Sequence, residues 1–534
     1  QKGRPEDFGY IKKLLSPPPE ITTIARSGQF KGIKVGIIGG GLAGLAAAFE
    51  LKKLGFDITV FDALEDRIGG RVYTYYFDPD KKLYGELGPM RIPVIHETVW
   101  HYINLFKLNT RPFKHVNENA LIYLKNIRVR NDRYGKNVIQ YIYPRYNLKP
   151  WERNIPWQKL SYYGIERHLL SASAKERSEI FQVRPAYNPY ILFWDGHSNR
   201  QMLEMTRLSQ NAIDMISNFF PLAGQNLYSS YLDYIQEQYS ADLSYLYERS
   251  GGIVNLPLSF YKAILGKNSE EVYPGIPQQH LGRVEWRNDH WVSGIHRNPD
   301  DGKVILGYKY AGIDKPVYES FDYAICAIPF STLRTVHIDP LFSIRKMQAI
   351  REVNYIPSQK TYFLCKERFW EYGGPGEQII GGASYTDLPI SQIFYPSKSN
   401  TSAREPGVLL ASYNFNLETT RLAEMSERLR FEEIKHEVEM VHSLPIGYLD
   451  TIVLQNITFN WNTDPRFRGA LSYYTPEQRK LFSLASVAPE YQNRLFFAGE
   501  HTSGKHRWMQ GALKSGMDAA NALAMSCMSN NSII

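Results

Sequence analysis

The sequence predicts an α/β protein: a Rossmann-type nucleotide-binding domain with a mixed-sheet domain and a helical domain inserted into it. Three observations predict this. A glycine-rich β-α-β pattern lies near the N-terminus, an apolar strand ending on Gly499-Glu500 stands near the C-terminus, and the stretch 151–247 between them has helical spacing. The length, 534 residues, exceeds what one core accommodates and suits two or three interleaved domains.

The first element is the apolar run 35–38, followed by Gly39-x-Gly41-x-x-Gly44, a helix over 42–54 and a second strand over 57–61 that ends on Asp62. Gly39 permits the tight turn, Gly41 lets backbone approach a pyrophosphate, and Gly44 lets helix and strand pack closely. The helix N-terminus offers free N–H groups to phosphates. A glycine triplet alone more often just makes a loop, but here strand, helix and acid stand at the expected spacing. Asp62 suits a free ribose hydroxyl rather than a 2′-phosphate, so NADP is not expected. Gly69-Gly70-Arg71 then supplies a second turn with a cation for the pyrophosphate.

Between the two ends, Pro17-Pro18-Pro19 predicts an extended, non-helical arm over 1–30. In the helical stretch, Met202, Met205, Ile213, Ile216 and Phe220 recur at near-helical spacing. Helices are also expected over 253–265, 418–443 and 511–525, the second with Leu422, Met425, Leu429 and Val441 on its apolar side. His290-Trp291-Val292 and Val304-Ile305-Leu306 read as a hairpin, and 324–328 as a strand returning to the nucleotide sheet. Tyr228, Tyr231 and Tyr234 fall on one helix with Asp233 and Glu237, four apart. The two acids read first as a solvated face, and otherwise as a holder of a cationic side chain.

Composition excludes several classes. The net charge of +8 comes without any long Lys/Arg cluster, so no nucleic-acid partner is expected. No apolar run of about 18 residues is present, so no membrane span is expected. The protein is expected to be soluble, cytoplasmic or secreted after removal of a leader. Cys326, Cys365 and Cys527 form no C-x-x-C pair, which excludes a thiolate metal site or redox dithiol, and the first two sit in apolar runs as inert buried thiols. Asn400-Thr401-Ser402, Asn456-Ile457-Thr458 and Asn530-Asn531-Ser532 are formal glycosylation triplets, a pattern that also arises by chance.

Asp66-Arg67-Ile68-Gly69-Gly70-Arg71 and Phe497-Ala498-Gly499-Glu500 resemble the two FAD-contacting motifs of the flavin-dependent amine oxidases. Leu87-Gly88-Pro89-Met90-Arg91 is similar to a segment of the L-amino acid oxidases within that class. The resemblance runs from about Ile33 to about Ala524; Asp62 replaces the usual Glu, and the spacing to Gly69-Gly70 is one residue longer. It implies noncovalent FAD held by Gly39, Gly41, Gly44, Asp62, Arg67, Gly70, Arg71, Met90, Arg91, Val292, Glu500, Trp508 and Met509. It implies Arg91 as clamp for a substrate carboxylate, Tyr413 as its second partner, Lys360 as holder of a water at flavin N5, and Trp508 as a wall at the substrate amino group. His501 and His506 read as polar contacts at the edge of the site. The implied domains are FAD-binding (33–73, 247–345, 478–526), substrate-binding (1–30, 74–137, 350–475) and helical (138–246).

The implied activity is oxidative deamination of an L-amino acid by oxygen, giving a 2-oxo acid, ammonia and hydrogen peroxide, in a homo-oligomer, dimer or larger. Three alternatives stay open: an amino-acid 2-monooxygenase, a non-catalytic dinucleotide-binding module, and an amine or polyamine oxidase. The motifs do not separate the oxidase from the monooxygenase. Retention of Arg91, Lys360 and Trp508 together speaks against the module, and Arg91 against an amine substrate with no carboxylate to clamp.

Overall fold

A five-stranded parallel sheet, in the order Val284–Arg287, Asp57–Phe61, Lys34–Ile38, Tyr323–Cys326 and Leu495–Phe497, brings distant parts of the chain together. The computed structural model describes residues 3–219, 224–266, 271–310, 312, 315–397 and 402–531. Phe220, Asn400, Thr401 and Ser532, used in the sequence reading, lie outside the described residues. The inner strands are nearly unbroken apolar runs, as burial on both faces demands. Helix Leu42–Lys53 is buried along its whole length, between this sheet and the C-terminal helix Met509–Asn531. Small residues permit that approach: a Cβ on Gly516 would sit 2.3 Å from the Ala43 carbonyl oxygen, and one on Gly44 would sit 2.0 Å from that of Gly39.

The second sheet has seven strands, in the order Val453–Asn460, Ser358–Cys365, Gly407–Phe415, Gln392–Phe394, Ala383–Thr386, Leu121–Leu124 and Ile127–Arg130. Alternation along Ser358–Cys365 sends Phe363 and Cys365 toward the helix Glu427–His442, and Tyr362 and Leu364 toward Leu87 and Met90. A bulge follows, because Thr361 pairs with Ser412 but Tyr362 pairs with Leu410. Ala411 is the extra residue. It switches the alternation of its strand, so Tyr413 lies opposite Lys360, on the face that carries Leu410.

A helical layer that includes Trp157–Ile165, Asn199–Met205, Gln210–Ser217 and Tyr231–Tyr239 shares its core with the Leu121–Leu124 end of the seven-stranded sheet. Leu160, Met202, Ile213, Ile216 and Tyr231 fill its core, whereas Met205, at a helix end, is exposed. The hairpin forms as expected, His290–Arg297 against Val304–Tyr310. All three cysteines are free and buried, and burial pushes each thiol up to about 12.

Two expectations are corrected. Residues 1–30 are not an extended arm: Phe8–Leu15 is a helix that buries Ile11 and Leu15, and the prolines end it at Ser16 rather than forbid it. Asp7 ties this helix down through Arg177, 2.8 Å away. The single helix over 418–443 is two, Asn416–Glu424 and Glu427–His442. Ser426 restarts the helix by accepting the Leu429 N–H, and Leu429 is thereby 52% exposed instead of lying on the apolar side. Among the described residues no helix is long and apolar enough to cross a membrane.

Candidate active site

One cavity runs from the glycine turns of the parallel sheet to the buried Lys360 strand and is closed by the helical layer. At its first end Gly41 and Gly69 form a parallel bridge, and a Cβ on Gly70 would meet the Gly41 Cα at 3.0 Å. Gly39, at φ +103°, turns the backbone there. Gly39, Gly41 and Gly70 line the cavity, while Gly44 acts behind it by packing. Asp62 is buried; its Oδ1 accepts the Leu64 N–H at 3.2 Å and its Oδ2 has no hydrogen-bond partner among the described residues. Burial pushes the Asp62 carboxyl up to about 6. Arg71 pairs with Glu500 at 2.8 Å, and Glu500 also accepts from Ser472 and the Arg507 N–H. Burial is the largest single effect on Glu500 and opposes its ionisation, but Arg71 and the other groups around it together outweigh burial and the carboxyl stands at about 2. Val292 and Met509 line the same region. Arg67 does not line the cavity: its Nη1 donates to the Gly70 carbonyl at 2.7 Å and its guanidinium lies over the Tyr73 ring, while its Nη2 is buried without a partner among the described residues.

The other end is built on Leu87–Arg91, a segment laid across the large sheet. Gly88 is required there, since a Cβ would stand 2.2 Å from the Arg71 carbonyl oxygen. The buried Lys360 Nζ donates to the carbonyls of Glu86 (2.8 Å) and Gly88 (2.6 Å) and lies 4.6 Å from the Tyr413 ring centre. Burial, then the Arg91 charge, push the Lys360 ammonium down to about 7. Trp461 donates its indole N–H to the Leu87 carbonyl at 3.0 Å. Met90 and Arg91 follow into the cavity. Arg91 lies 3.3 Å from His115 Nδ1 and 5.6 Å from the Phe394 ring centre; among the described residues it has no carboxylate partner. Burial and Arg91 hold His115 near 3, so the ring is neutral and accepts the Arg91 N–H. Tyr385, pushed up to about 12 by burial, completes this wall.

On the helical side Trp508 presents its indole N–H to Glu237 Oε1 at 3.1 Å and packs edge-on against His96. The acids on Tyr231–Tyr239 are not a solvated face: Asp233 is 3% and Glu237 9% exposed. Asp233 pairs with Arg507 at 2.5 Å and with His506 at 2.7 Å, which excludes it from holding a ligand. Tyr234 lines the cavity, whereas Tyr228, 71% exposed, precedes the helix and walls nothing. His501 and His506 are fully enclosed and do not line the cavity, correcting their expected place at its edge. Phe330 packs against the His501 ring at 4.4 Å.

The chain matches the flavin containing amine oxidoreductase family over residues 42–524. It belongs to that family. The flavoenzyme is 30% identical over 494 residues to the L-amino-acid oxidase of Pseudechis australis, covering 91% of this chain and 86% of that one. It is 31% identical over 515 residues to the L-amino-acid oxidase of Vipera ammodytes ammodytes, covering 94% and 95%. Among solved structures it resembles putrescine oxidase bound to putrescine (TM-score 0.68, 14% identity) and cyclohexylamine oxidase from Brevibacterium oxydans IH-35A (0.66, 18%). Each covers 93% of this chain and 99% of the other. At that identity the structures speak for the fold alone.

The enzyme is an oxidoreductase and its cofactor is FAD. The residues present fit that group. The glycine cradle leaves no side chain between backbone and a pyrophosphate, and the Asp62 oxygen without a partner among the described residues would be free to accept from ribose hydroxyls. With an Asp62 pKa of about 6, hydroxyl donation to the carboxylate favours its ionised form, and protonation below that pH competes with it. FAD affinity of the apoprotein therefore weakens as pH falls from about 7 to 5, approaching about tenfold per pH unit below 6. Fluorescence titration of FAD at each pH checks this. Asp62→Asn weakens binding and flattens the pH dependence; a flat profile in the parent contradicts the role of Asp62.

Proposed function

We propose that this flavoenzyme oxidises L-amino acids, with a fairly large side chain, to 2-oxo acids, ammonia and hydrogen peroxide. The observation that carries this reading is Arg91, a guanidinium in the cavity with a neutral histidine and a ring beside it and no anion among the described residues. A partly enclosed cation without a counter-charge is costly, and a substrate carboxylate removes that cost through two parallel hydrogen bonds. An amine or polyamine has no such group. Tyr413, fixed opposite Lys360 by the Ala411 bulge, supplies a second donor to the carboxylate. Trp508 closes the space beside the substrate amino group, and its bond to Glu237 sets the plane of the indole.

Held at both ends, the substrate reacts as an intramolecular partner. FAD, held without a covalent bond, would supply the two-electron acceptor, and oxygen takes up the two electrons with two protons to become hydrogen peroxide. The substrate loses a hydride from Cα and a proton from nitrogen, leaving a C=N bond. Water then adds to the carbon and ammonia departs. Lys360 holds a proton or a water at Nζ. Two of its N–H groups are fixed on the Glu86 and Gly88 carbonyls, so its remaining position, an N–H below about pH 7 and a lone pair above it, is the one left for the reaction.

Arg91→Ala is expected to lower kcat/KM by roughly two to three decades, largely through KM, because a charge-assisted bidentate pair contributes about 2–5 kcal/mol. Steady-state peroxide and 2-oxo acid assays measure it, and kinetics near those of the parent rule Arg91 out as the carboxylate partner. Lys360→Met is expected to retain FAD while slowing flavin reduction, reoxidation or both at least about tenfold. Lys360 is charged below about pH 7 and neutral above it, so the parent's rates change between pH 6 and 8, and the variant loses the part of that change that Lys360 carries. Stopped-flow traces with unchanged rates in both half-reactions overturn the assignment.

A further inference from the structure

We infer that Glu237 is a side-chain subsite, and that the amino acids this enzyme prefers carry a second cation at the far end of the side chain. The inference rests on the reading above, that an α-carboxylate binds Arg91, and adds the substrate class. Among the described residues that line the cavity, three are acids: Asp62, Glu237 and Glu500. Asp62 belongs to the glycine end, and Glu500 is neutralised by Arg71. Glu237 alone of the three lies on the helical layer, and among the described residues it has no ion pair.

Its two oxygens differ. Oε1 accepts the Trp508 indole N–H at 3.1 Å; Oε2 has no hydrogen-bond partner among the described residues. The residue is 9% exposed, so the open oxygen faces a cavity rather than bulk water. The nearby cations do not satisfy it. Arg507 is engaged by Asp233 and Lys505 by Asp242, each in a short ion pair. Tyr413 senses both ends of the arrangement: burial pushes its hydroxyl up, the Arg91 charge pulls it down and the Glu237 charge pushes it up again. Burial holds the Glu237 carboxyl above its usual range, with the Arg507 and Lys505 charges offsetting part of that, so a guanidinium without a carboxylate partner among the described residues and a carboxyl that lacks a paired cation line one cavity with Tyr413. A ligand with a carboxylate at one end and an ammonium or guanidinium at the other neutralises both. Tyr234 and Tyr385 offer apolar surface to the methylenes between.

Two probes without an α-amino group isolate this contact, 6-aminohexanoate and hexanoate, which share the carboxylate and differ in the terminal ammonium. Calorimetric titration of the holoenzyme is expected to show 6-aminohexanoate binding roughly ten- to a hundredfold tighter, the range for a charge-assisted hydrogen bond in an enclosed site. Glu237→Gln keeps an acceptor for Trp508 and removes the charge, so it is expected to erase that ratio. The kcat/KM ratio of L-lysine or L-arginine to L-norleucine is expected to fall by a similar factor. Glu237→Asp, which restores the charge, recovers part of both ratios, and FAD absorbance with far-UV circular dichroism reports that each variant is folded. Equal binding of the two probes by the parent overturns the inference. So does a loss in Glu237→Gln that is uniform across lysine and norleucine, the signature of a group serving only Trp508 or the α-amino group. A parent that oxidises none of these amino acids refutes the proposed function instead, and the probe titration still decides whether Glu237 binds a cation.

Discussion

The buried ammonium of Lys360, fixed to the carbonyls of Glu86 and Gly88, is the contact on which the rest of the site depends. It fastens the segment Leu87–Arg91 to the large sheet, and Trp461 clamps the same segment through the Leu87 carbonyl. Because Gly88 has no Cβ, the clamped segment also lies flush against the Arg71 backbone. Arg71 reaches in turn to Glu500 at the end of the last parallel strand. A short chain of contacts therefore joins the substrate sheet, the carboxylate site and the nucleotide sheet. A lysine buried in a strand is expensive unless its donors are satisfied. Here two backbone carbonyls and the Tyr413 ring satisfy it, and its lowered pKa is the remaining trace of that burial.

Charge pairing separates the framework from the working groups. Glu500 with Arg71, Asp233 with Arg507 and His506, and Asp242 with Lys505 and His96 are enclosed pairs that fix the C-terminal loop before helix Met509–Asn531. Such pairs position more than they stabilise, since desolvation offsets much of their attraction. Against that background Asp62, Arg91 and Glu237 stand out by what they lack. Each is a charged or chargeable group at the cavity with a position open, one near the glycine turns, one on the carboxylate segment and one on the helical layer.

Much of the fold was legible because the nucleotide-binding unit is local. Strand, glycine turn, helix and acid follow one another within 35–62, each with its own physical signature. The returning strands at 323–326 and 495–497 were legible as apolar runs, and Arg91 was marked by the motif in front of it. What the sequence hid was long-range or irregular. The Ala411 bulge changes which residues of its strand face the cavity, and no local pattern announces a bulge. Tyr385 reaches the site through sheet pairing with Ile122, Trp461 through a clamp across more than three hundred residues, and His115 through a loop contact with Arg91 that carries no motif. The acids at 233 and 237 read as solvated because partners at 506–508 are invisible to helical periodicity. The prolines at 17–19 end a helix that the preceding residues form, and Ser426 starts a new helix inside what reads as one continuous apolar repeat.

The central claim is that the cavity holds an L-amino acid by its carboxylate so that Cα delivers two electrons to the flavin. Anaerobic mixing of the purified holoenzyme with L-lysine, L-leucine, D-leucine and the carboxylate-free amine isopentylamine, followed by visible absorbance, tests it most directly. The account predicts bleaching of the oxidised flavin bands by the L-amino acids and recovery of colour when oxygen is admitted. It predicts no comparable bleaching by the D-amino acid or the amine. Bleaching by the amine at the same rate as by L-leucine, or by the D-amino acid alone, would contradict it.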